Sequence, residues 1–182
     1  KSSTEIKKTI MNKKLKYGMT YTLSKYEQDL IKEMSEKLNN QDESYFINNF
    51  KVDKKMKFYT MCLNGFSAEL AFCKMCDVDF DNGTSLNKNY FNSNDAVLKN
   101  GKTIDVKNTT YKNGRLLVRL GKEKKYVDGY ALMTGEFPTF TFSGWSSYDQ
   151  IINPDNIGTL GNYSTKSYIL NQYQLNKELN IQ

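Results

Sequence analysis

The chain has 182 residues, a formal net charge of +6 and three cysteines, and it contains no histidine. This length fits one domain with a sizeable core, and no apolar run approaches the roughly 18 residues that a membrane span needs. An odd number of cysteines argues against a disulfide scaffold and for a reducing compartment. We therefore expect a cytoplasmic protein that is not secreted. Modest basicity is compatible with a nucleic-acid partner but does not require one.

The first 22 residues are rich in lysine and start with Lys1-Ser2-Ser3, which is neither an initiator methionine nor a signal peptide. We therefore expect a fragment or a processed product. Lys13 and Lys14 lie in this basic stretch, and two interpretations remain open: a solvated terminus or an arm that contacts phosphate. We predict that residues 1–50 form an N-terminal basic and helical extension that packs on a core domain of residues 51–182.

A first helix is predicted from Ser24, because Ser24 and Glu27 have the spacing of a capping box. The apolar residues that follow recur every four positions, as on one face of an amphipathic helix that ends near residues 39–40. These residues are Tyr26, Leu30, Met34 and Leu38. Such a stripe is typical of core packing.

A second helix is predicted from about Lys54 to Met75, and it contains Gly65. Glycine inside a helix costs about 1 kcal/mol relative to alanine, which indicates close packing of Gly65 against another backbone. Glu69 shares a helical face with apolar and thiol side chains. They are Cys62, Phe66, Cys73 and Cys76. A buried carboxylate without a partner is costly, so Glu69 needs a buried partner or a metal ion, unless it is exposed as most helix glutamates are.

The Cys73-x-x-Cys76 spacing permits a metal or redox site, but a four-ligand zinc site would need Cys62 and an acid, since there is no histidine. Free cysteine behaves as a small buried hydrophobe. We therefore predict buried thiols on a helix.

Residues 103–107 alternate polar and apolar side chains, as a half-buried strand does. Asp105 and Lys107 therefore share one face and lie roughly 6.5–7 Å apart at the backbone. Ile104 and Val106 face the core. Asp95 lies ten positions upstream of Asp105, before the short apolar run 96–98, and residues 99–102 have the composition of a hairpin turn. An acid and a lysine on one strand face, with a second acid on the facing strand, predict an active site on this hairpin.

The turn of this hairpin decides whether the two acids meet. A three-residue loop, 99–101, with Gly101 at positive φ places Asp95 opposite Asp105, so that their carboxylates share a face. A two-residue turn at Asn100-Gly101 would put them on opposite faces. Because the chemistry needs both acids together, we predict the three-residue loop, with positive φ at Gly101 and not at Asn100.

Beyond the hairpin, strands are predicted at 115–120, 130–133 and 139–142. A charged connector spans 122–125, and a short helical tail is predicted around 175–179. Lys112 lies in a turn after the hairpin, and we include it with Lys13 and Lys14 as a candidate contact to nucleic acid.

The order Glu69, Asp95 and Asp105-x-Lys107 resembles the catalytic pattern of the PD-(D/E)XK nuclease superfamily, and it looks closest to small phage-type and virus-type members. The resemblance covers roughly residues 58–175 and includes a Gly144-Trp145 pair. It implies an α/β (α+β) fold with a restriction-endonuclease-like core, in which helices flank a mixed central β-sheet. That core usually has a helix where this chain, between Leu120 and Tyr130, has room for little more than one turn.

The same resemblance implies a Mg²⁺-dependent endonuclease that hydrolyses phosphodiester bonds in DNA, with Mn²⁺ able to substitute. Asp95 and Asp105 would hold the metal, together with the backbone carbonyl of Val106 and with Glu69. Lys107 would orient the attacking water or stabilise charge on the phosphate. Few residues remain for a separate sequence-reading domain, so cutting of branched or junction DNA is favoured over site-specific restriction or repair. A homodimer is compatible with each of these.

Two other classes remain open. A binding module of the same fold would hold nucleic acid without cutting it, and a magnesium-dependent cleavage assay separates it from a nuclease. A structural or adaptor protein would make Asp105 and Lys107 an ordinary surface ion pair. Absence of DNA binding at low salt would favour that class.

Overall fold

The computed structural model describes residues 14–41, 55–80, 94–160 and 165–182. Its helices are α1 (Lys25–Gln41), α2 (Lys55–Cys76) and the four-residue α3 (Tyr148–Ile151). The strands are β1 (Lys14–Lys16), β2 (Thr20–Thr22), β3 (Ala96–Val97), β4 (Thr103–Thr109), β5 (Leu116–Arg119), β6 (Gly129–Glu136), β7 (Thr139–Ser147), β8 (Ile157–Gly158), β9 (Ser167–Leu170) and β10 (Glu178–Asn180). Short 3-10 helices lie at Pro154–Asn156 and Gln172–Gln174.

Five strands form the central sheet in the order β2-β7-β6-β4-β3. The pairing of β4 with β6 is parallel, and the other pairings in this sheet are antiparallel. A second sheet has the order β5-β9-β8, and β1 pairs with β10. Because β5 belongs to the second sheet, the chain leaves the central sheet after β4 and returns to it as the parallel strand β6. The predicted mixed sheet is confirmed.

The two faces of the central sheet are covered by different layers. On one face α1 and α2 enclose a core that includes Ile104 and Val106 of β4. On the other face Tyr130 and Leu132 of β6 pack with residues of β5 and β9 and with Ile151 of α3. We expected helices on both faces of the sheet. On this second face the layer is mostly the small β5-β9-β8 sheet, and α3 is the helix that the structure describes there.

The capping box that predicted α1 is present. The backbone N–H of Ser24 donates to Glu27 Oε2 at 2.8 Å, and the N–H of Glu27 donates to Ser24 Oγ at 3.4 Å. The predicted stripe is only partly correct, because Tyr26 is 77% exposed and Ile31 is buried in its place. A 100° step per residue puts both positions near the edge of the stripe, so the packing against α2 decides between them.

Three further expectations differ from the structure. A Cβ added at Gly65 would meet no atom within 4 Å, so close backbone packing does not explain this glycine. The segment around 175–179 is not helical but leads into β10, which pairs with β1. The connector 120–128 consists of turns, which agrees with the limited room noted in the sequence.

The N-terminal segment contributes directly to the main core. Leu15, Leu23 and Ile31 are buried there, and β2 is an edge strand of the central sheet. The proposed division at residue 50 falls within residues 42–54, outside the described part of the chain, and it stays a prediction.

Candidate active site

The β3–β4 hairpin has the predicted register. Ala96 pairs with Ile104 and Val97 pairs with Thr103, and the N–H of Leu98 donates to the carbonyl of Lys102 at 2.8 Å. Gly101 has φ +85°, whereas Asn100 is not among the residues with positive φ. The three-residue loop is confirmed, and one further step along the ladder places Asp95 opposite Asp105.

The hydrogen-bonding pattern brings these two side chains close together. Pairs in an antiparallel ladder alternate between hydrogen-bonded and non-hydrogen-bonded, and side chains approach more closely in the second kind. Leu98 and Lys102 form a hydrogen-bonded pair, so Asp95 and Asp105 occupy a non-hydrogen-bonded position. At the next position the N–H of Val106 donates to Asp95 Oδ2 at 2.7 Å. The Asp95 carboxylate therefore takes the place of the backbone carbonyl that would accept this hydrogen bond in a continued ladder.

The Val106 carbonyl lies on the same edge of β4 as its N–H. In an antiparallel ladder the two groups of one residue point to the same partner strand. Since the N–H is directed at Asp95, the carbonyl also lies on the side of β4 where strand β3 has ended. The carbonyl is therefore on the Asp95 side of β4, and its assignment as a metal ligand stays a prediction.

Two lysines neutralise the carboxylate pair. Lys124 Nζ lies 2.5 Å from Asp105 Oδ1 and 3.3 Å from Asp95 Oδ1, and the ammonium of Lys107 contacts Asp105 Oδ2. The Oδ1 atoms of the two acids can therefore be no farther apart than the sum of their distances to one nitrogen. One nitrogen therefore contacts both carboxylates, so the two side chains face a common position.

Asp105 is more deeply buried than the alternating pattern predicts. Its side chain is 0% exposed, against 13% for Asp95, 21% for Lys124 and 36% for Lys107. The prediction of a half-buried strand is wrong at this position, because the face of the central sheet that carries Asp105 packs against a second sheet through Tyr130 and Leu132 of β6, and two ammonium groups lie against the Asp105 carboxylate. Among the residues that the structure describes, the partners of the Asp105 carboxylate are two ammonium groups, Lys124 at Oδ1 and Lys107 at Oδ2.

Lys124 was not predicted as a site residue, since 122–125 reads as a charged connector. Its backbone N–H donates to the hydroxyl of Tyr130 at 3.0 Å. Tyr130 pairs laterally with Asp105 in the parallel ladder of β4 and β6, so both side chains leave the sheet on the same face. Parallel pairing brings the connector before β6 to the acids, and no local feature of the sequence distinguishes Lys124 from Lys122 and Lys125.

The charges in the site shift one another's ionisation. Burial raises the pKa of Asp95 to about 6, and the neighbouring charge of Asp105 acts in the same direction. The ammonium groups of Lys124 and Lys107 and the N–H of Val106 partly offset this rise. Burial alone would lower the pKa of Lys124, but the two carboxylates outweigh it and hold that pKa above its usual range.

Glu69 belongs to helix α2, which lies on the other side of β4 from the Asp105 side chain. Helix α2 packs on the face of β4 that carries Ile104 and Val106, opposite the face of Asp105. Burial raises the pKa of the Cys62 thiol to about 12, and the charge of Glu69 adds to that rise. In residues 14–41, 55–80, 94–160 and 165–182, no three His, Cys, Asp or Glu side chains converge closely enough to hold one metal ion. The assignment of Glu69 as a metal ligand stays a prediction.

The three cysteines on α2 are buried thiols outside disulfide bonds, in agreement with the sequence interpretation. Cys73 connects this helix to the hairpin, since its Sγ lies 3.6 Å from the backbone carbonyl oxygen of Asp95. The α2 helix therefore supports the backbone at Asp95 from behind the site.

The three candidate nucleic-acid contacts have separate outcomes. Lys13 lies outside the described residues. Lys14 forms an ion pair with Glu178 at 2.6 Å, which joins β1 to β10. Lys112 is exposed, and its backbone carbonyl accepts from Gln172 Nε2 at 2.8 Å. Neither described lysine contacts the carboxylate pair.

The donor set of the pair fits a hard divalent cation. Mg²⁺ binds oxygen ligands and is usually held by one or two carboxylates together with waters. Asp95 and Asp105 present carboxylate oxygens to one point, and a positive charge, the Lys124 ammonium, lies there. A cleft of about 390 Å³, lined in part by Asp79, Phe80 and Asn94, reaches Asp95 from outside.

Comparisons with known protein families, with curated proteins and with solved structures found no match for this chain. Among the helices that the structure describes, none is both long and apolar enough to cross a membrane.

Proposed function

We propose that this protein is a metal-dependent DNA endonuclease that hydrolyses phosphodiester bonds at the Asp95–Asp105 pair. The observation that carries the proposal is the hairpin register. It places two carboxylates on one face, with Lys107 next along the same strand. Such a pair with a lysine is the donor set that the resemblance to the PD-(D/E)XK superfamily implies.

Each residue of the site has a role that follows from its chemistry. Asp95 and Asp105 would hold Mg²⁺, or Mn²⁺ in its place, with the Val106 carbonyl as a further oxygen ligand. The metal, when bound, lowers the pKa of a water and neutralises charge on the phosphate. Lys107 is the more exposed lysine of the site, so its ammonium can orient a water or stabilise charge on a phosphate oxygen. This chemistry needs no histidine, and the chain has none.

The fold gives partial support to a restriction-endonuclease-like core. An antiparallel hairpin carrying the acids, a parallel neighbouring strand and a helix layer behind them agree with that proposal. Two features depart from it: the connector before β6 has no helix, and a small sheet covers the face of Asp105. The net charge of +6 is compatible with DNA as the substrate. We favour structure-directed cutting of branched or junction DNA.

A second candidate is a module that binds nucleic acid without cutting it. It is favoured by the position of Lys124, whose ammonium contacts both acids where a metal would bind. Two carboxylates and two ammonium groups together carry no net charge. The group is therefore balanced without any added ion, as in a structural ion-pair network.

Digestion of a matched panel of DNAs tests the proposal. Linear, nicked, flapped and four-way DNAs of the same sequence would be incubated with the protein, either with Mg²⁺ or with EDTA. We expect cleavage with Mg²⁺ only, and faster cleavage of the branched substrates. Salt-sensitive binding without cleavage of any DNA would favour the binding module and overturn the nuclease.

A further inference from the structure

Among the described residues, the Lys124 ammonium forms ion pairs with both acids of the pair. Its nitrogen lies 2.5 Å from Asp105 Oδ1 and 3.3 Å from Asp95 Oδ1. Asp105 is fully buried, and among the described residues its oxygens contact the ammonium groups of Lys124 and Lys107. A buried carboxylate needs a compensating charge or donor, and the Lys124 ammonium supplies one of the two positive charges that balance the pair.

The backbone of Lys124 is held by hydrogen bonds, and its ammonium lies at the end of a long, partly exposed side chain. The N–H donates to Tyr130 Oη at 3.0 Å, and the carbonyl accepts from the N–H of Val127, which is buried, at 3.3 Å. The side chain is 21% exposed, and four methylene groups separate its charge from the backbone. A rotation about these bonds can therefore carry the charge to solvent without unfolding the connector.

We propose that Lys124 is a built-in counter-ion that a divalent cation displaces from between Asp95 and Asp105. This inference rests on the proposed metal site. A divalent cation bound beside both lysines would leave an excess of two positive charges among buried groups, which is electrostatically costly. Departure of the Lys124 ammonium halves that excess. Metal and lysine therefore compete, and Lys124 weakens the affinity of the site for metal.

Calorimetric titration with Ca²⁺ tests this competition in the full chain at neutral pH. The variant Lys124→Gln removes the competing charge and keeps a polar side chain. The matched control is Lys125→Gln, which removes the same charge from the exposed neighbouring residue. We expect Lys124→Gln to lower the dissociation constant for Ca²⁺ by about tenfold or more. Lys125→Gln should leave it within about twofold of the wild-type value, because an exposed charge is screened by salt.

An affinity of Lys124→Gln that is no tighter than that of the wild type, or that Lys125→Gln reproduces, would overturn the proposal. Circular dichroism covers the case in which the variant is unstable. Folding of Lys124→Gln on addition of Ca²⁺ would support the competition, whereas a chain that stays unfolded at saturating Ca²⁺ would overturn it.

The cleavage assay separates this inference from the nuclease proposal. Tighter Ca²⁺ binding by Lys124→Gln with no cleavage of DNA by the wild type would support the counter-ion role and remove the nuclease. Cleavage by the wild type with equal Ca²⁺ affinities in both proteins would remove the counter-ion role and leave the nuclease standing.

Discussion

Among the residues that the structure describes, carboxylates are buried around Glu27 and around Asp105, and the two places balance the buried charge in opposite ways. Glu27 is 6% exposed and accepts hydrogen bonds from the Ser24 N–H at 2.8 Å and from the Tyr21 hydroxyl at 3.0 and 3.2 Å. Lys74 adds an ammonium at 3.4 Å. Burial opposes ionisation of Glu27, but these hydrogen bonds outweigh it and lower its pKa.

The Asp95–Asp105 pair has the opposite balance. Its acids are brought together by strand register, and burial and the charge of Asp105 raise the pKa of Asp95 by more than the nearby ammonium groups lower it. Glu27 accepts hydrogen bonds mostly from residues close to it in the sequence, so it is part of a helix cap. Asp95 and Asp105 are two like charges that need cations as partners, and the proposed metal site rests on that requirement. Burial alone therefore does not identify a functional carboxylate, whereas the nature of its partners does.

The largest expected difference between the two places is in catalysis. Asp105→Asn and Lys107→Met should each lower the rate of Mg²⁺-dependent cleavage by at least about 100-fold, as removal of one preorganised charged group typically does. Glu27→Gln should cut at close to the wild-type rate. Single-turnover cleavage of a labelled branched DNA measures all three, and a wild-type rate in Asp105→Asn would remove the assigned site.

The same substitution also affects stability. Because Asp105 is fully buried between two ammonium groups, its loss leaves their charges uncompensated. We expect Asp105→Asn to lower the free energy of unfolding by several kcal/mol. Cleavage rates should therefore be compared at a temperature at which thermal melts show every variant to be folded.

The next effect is on the pH dependence of stability, which has opposite signs for Asp95 and Glu27. The pKa of Asp95 is raised from 3.8 to about 6, so its neutral form is favoured by folding. Its stabilising contribution is full below its unfolded pKa and is lost as the pH rises to about 6, by about 3 kcal/mol in all. The pKa of Glu27 is lowered. Its contribution is therefore present above its ordinary value and is lost as the pH falls through the folded value.

Urea unfolding between pH 3 and pH 7 measures both dependences when each variant is subtracted from the wild type. The difference from Asp95→Asn should decrease as the pH rises from about 4 to 6. The difference from Glu27→Gln should decrease as the pH falls below about 4.5. Two slopes of the same sign would show that the contrast between the two places is wrong.

The smallest effect concerns the loop that aligns the pair. Gly101→Ala forces a side chain into φ +85° and should cost about 1 kcal/mol. Gly65→Ala is the matched control, since its added methyl group meets no atom within 4 Å and its φ is not positive. That change should stabilise α2 by up to about 1 kcal/mol. Chemical denaturation compares them, and equal effects would contradict the role assigned to the loop.

The alignment of the two acids could be predicted from the sequence because it depends on local geometry. A loop of three residues with glycine at its end sets the pairing of the next few positions on both strands. Asp95 lies only three positions from Leu98, the residue that borders the loop. The capping box of α1 is local in the same sense. In both cases a short run of residues contains the whole physical cause.

The burial of Asp105 and the presence of Lys124 could not be predicted in that way. Asp105 lies on the face of the central sheet that packs against β5 and β9, strands that pair across about fifty positions of the chain. Lys124 reaches the acids because β6 lies parallel to β4. Alternation along one strand carries no information about a second sheet, and a run of lysines does not show which one faces a buried acid.

The central claim is that Asp95 and Asp105 together bind one divalent cation. A crystal grown with saturating Mn²⁺ tests it directly, because anomalous scattering locates the metal without any assumption about activity. The account predicts one anomalous peak, roughly 2 Å from a carboxylate oxygen of each acid, with the Lys124 ammonium moved away. A map without a peak at this position, with Lys124 still in contact with both acids, would contradict it.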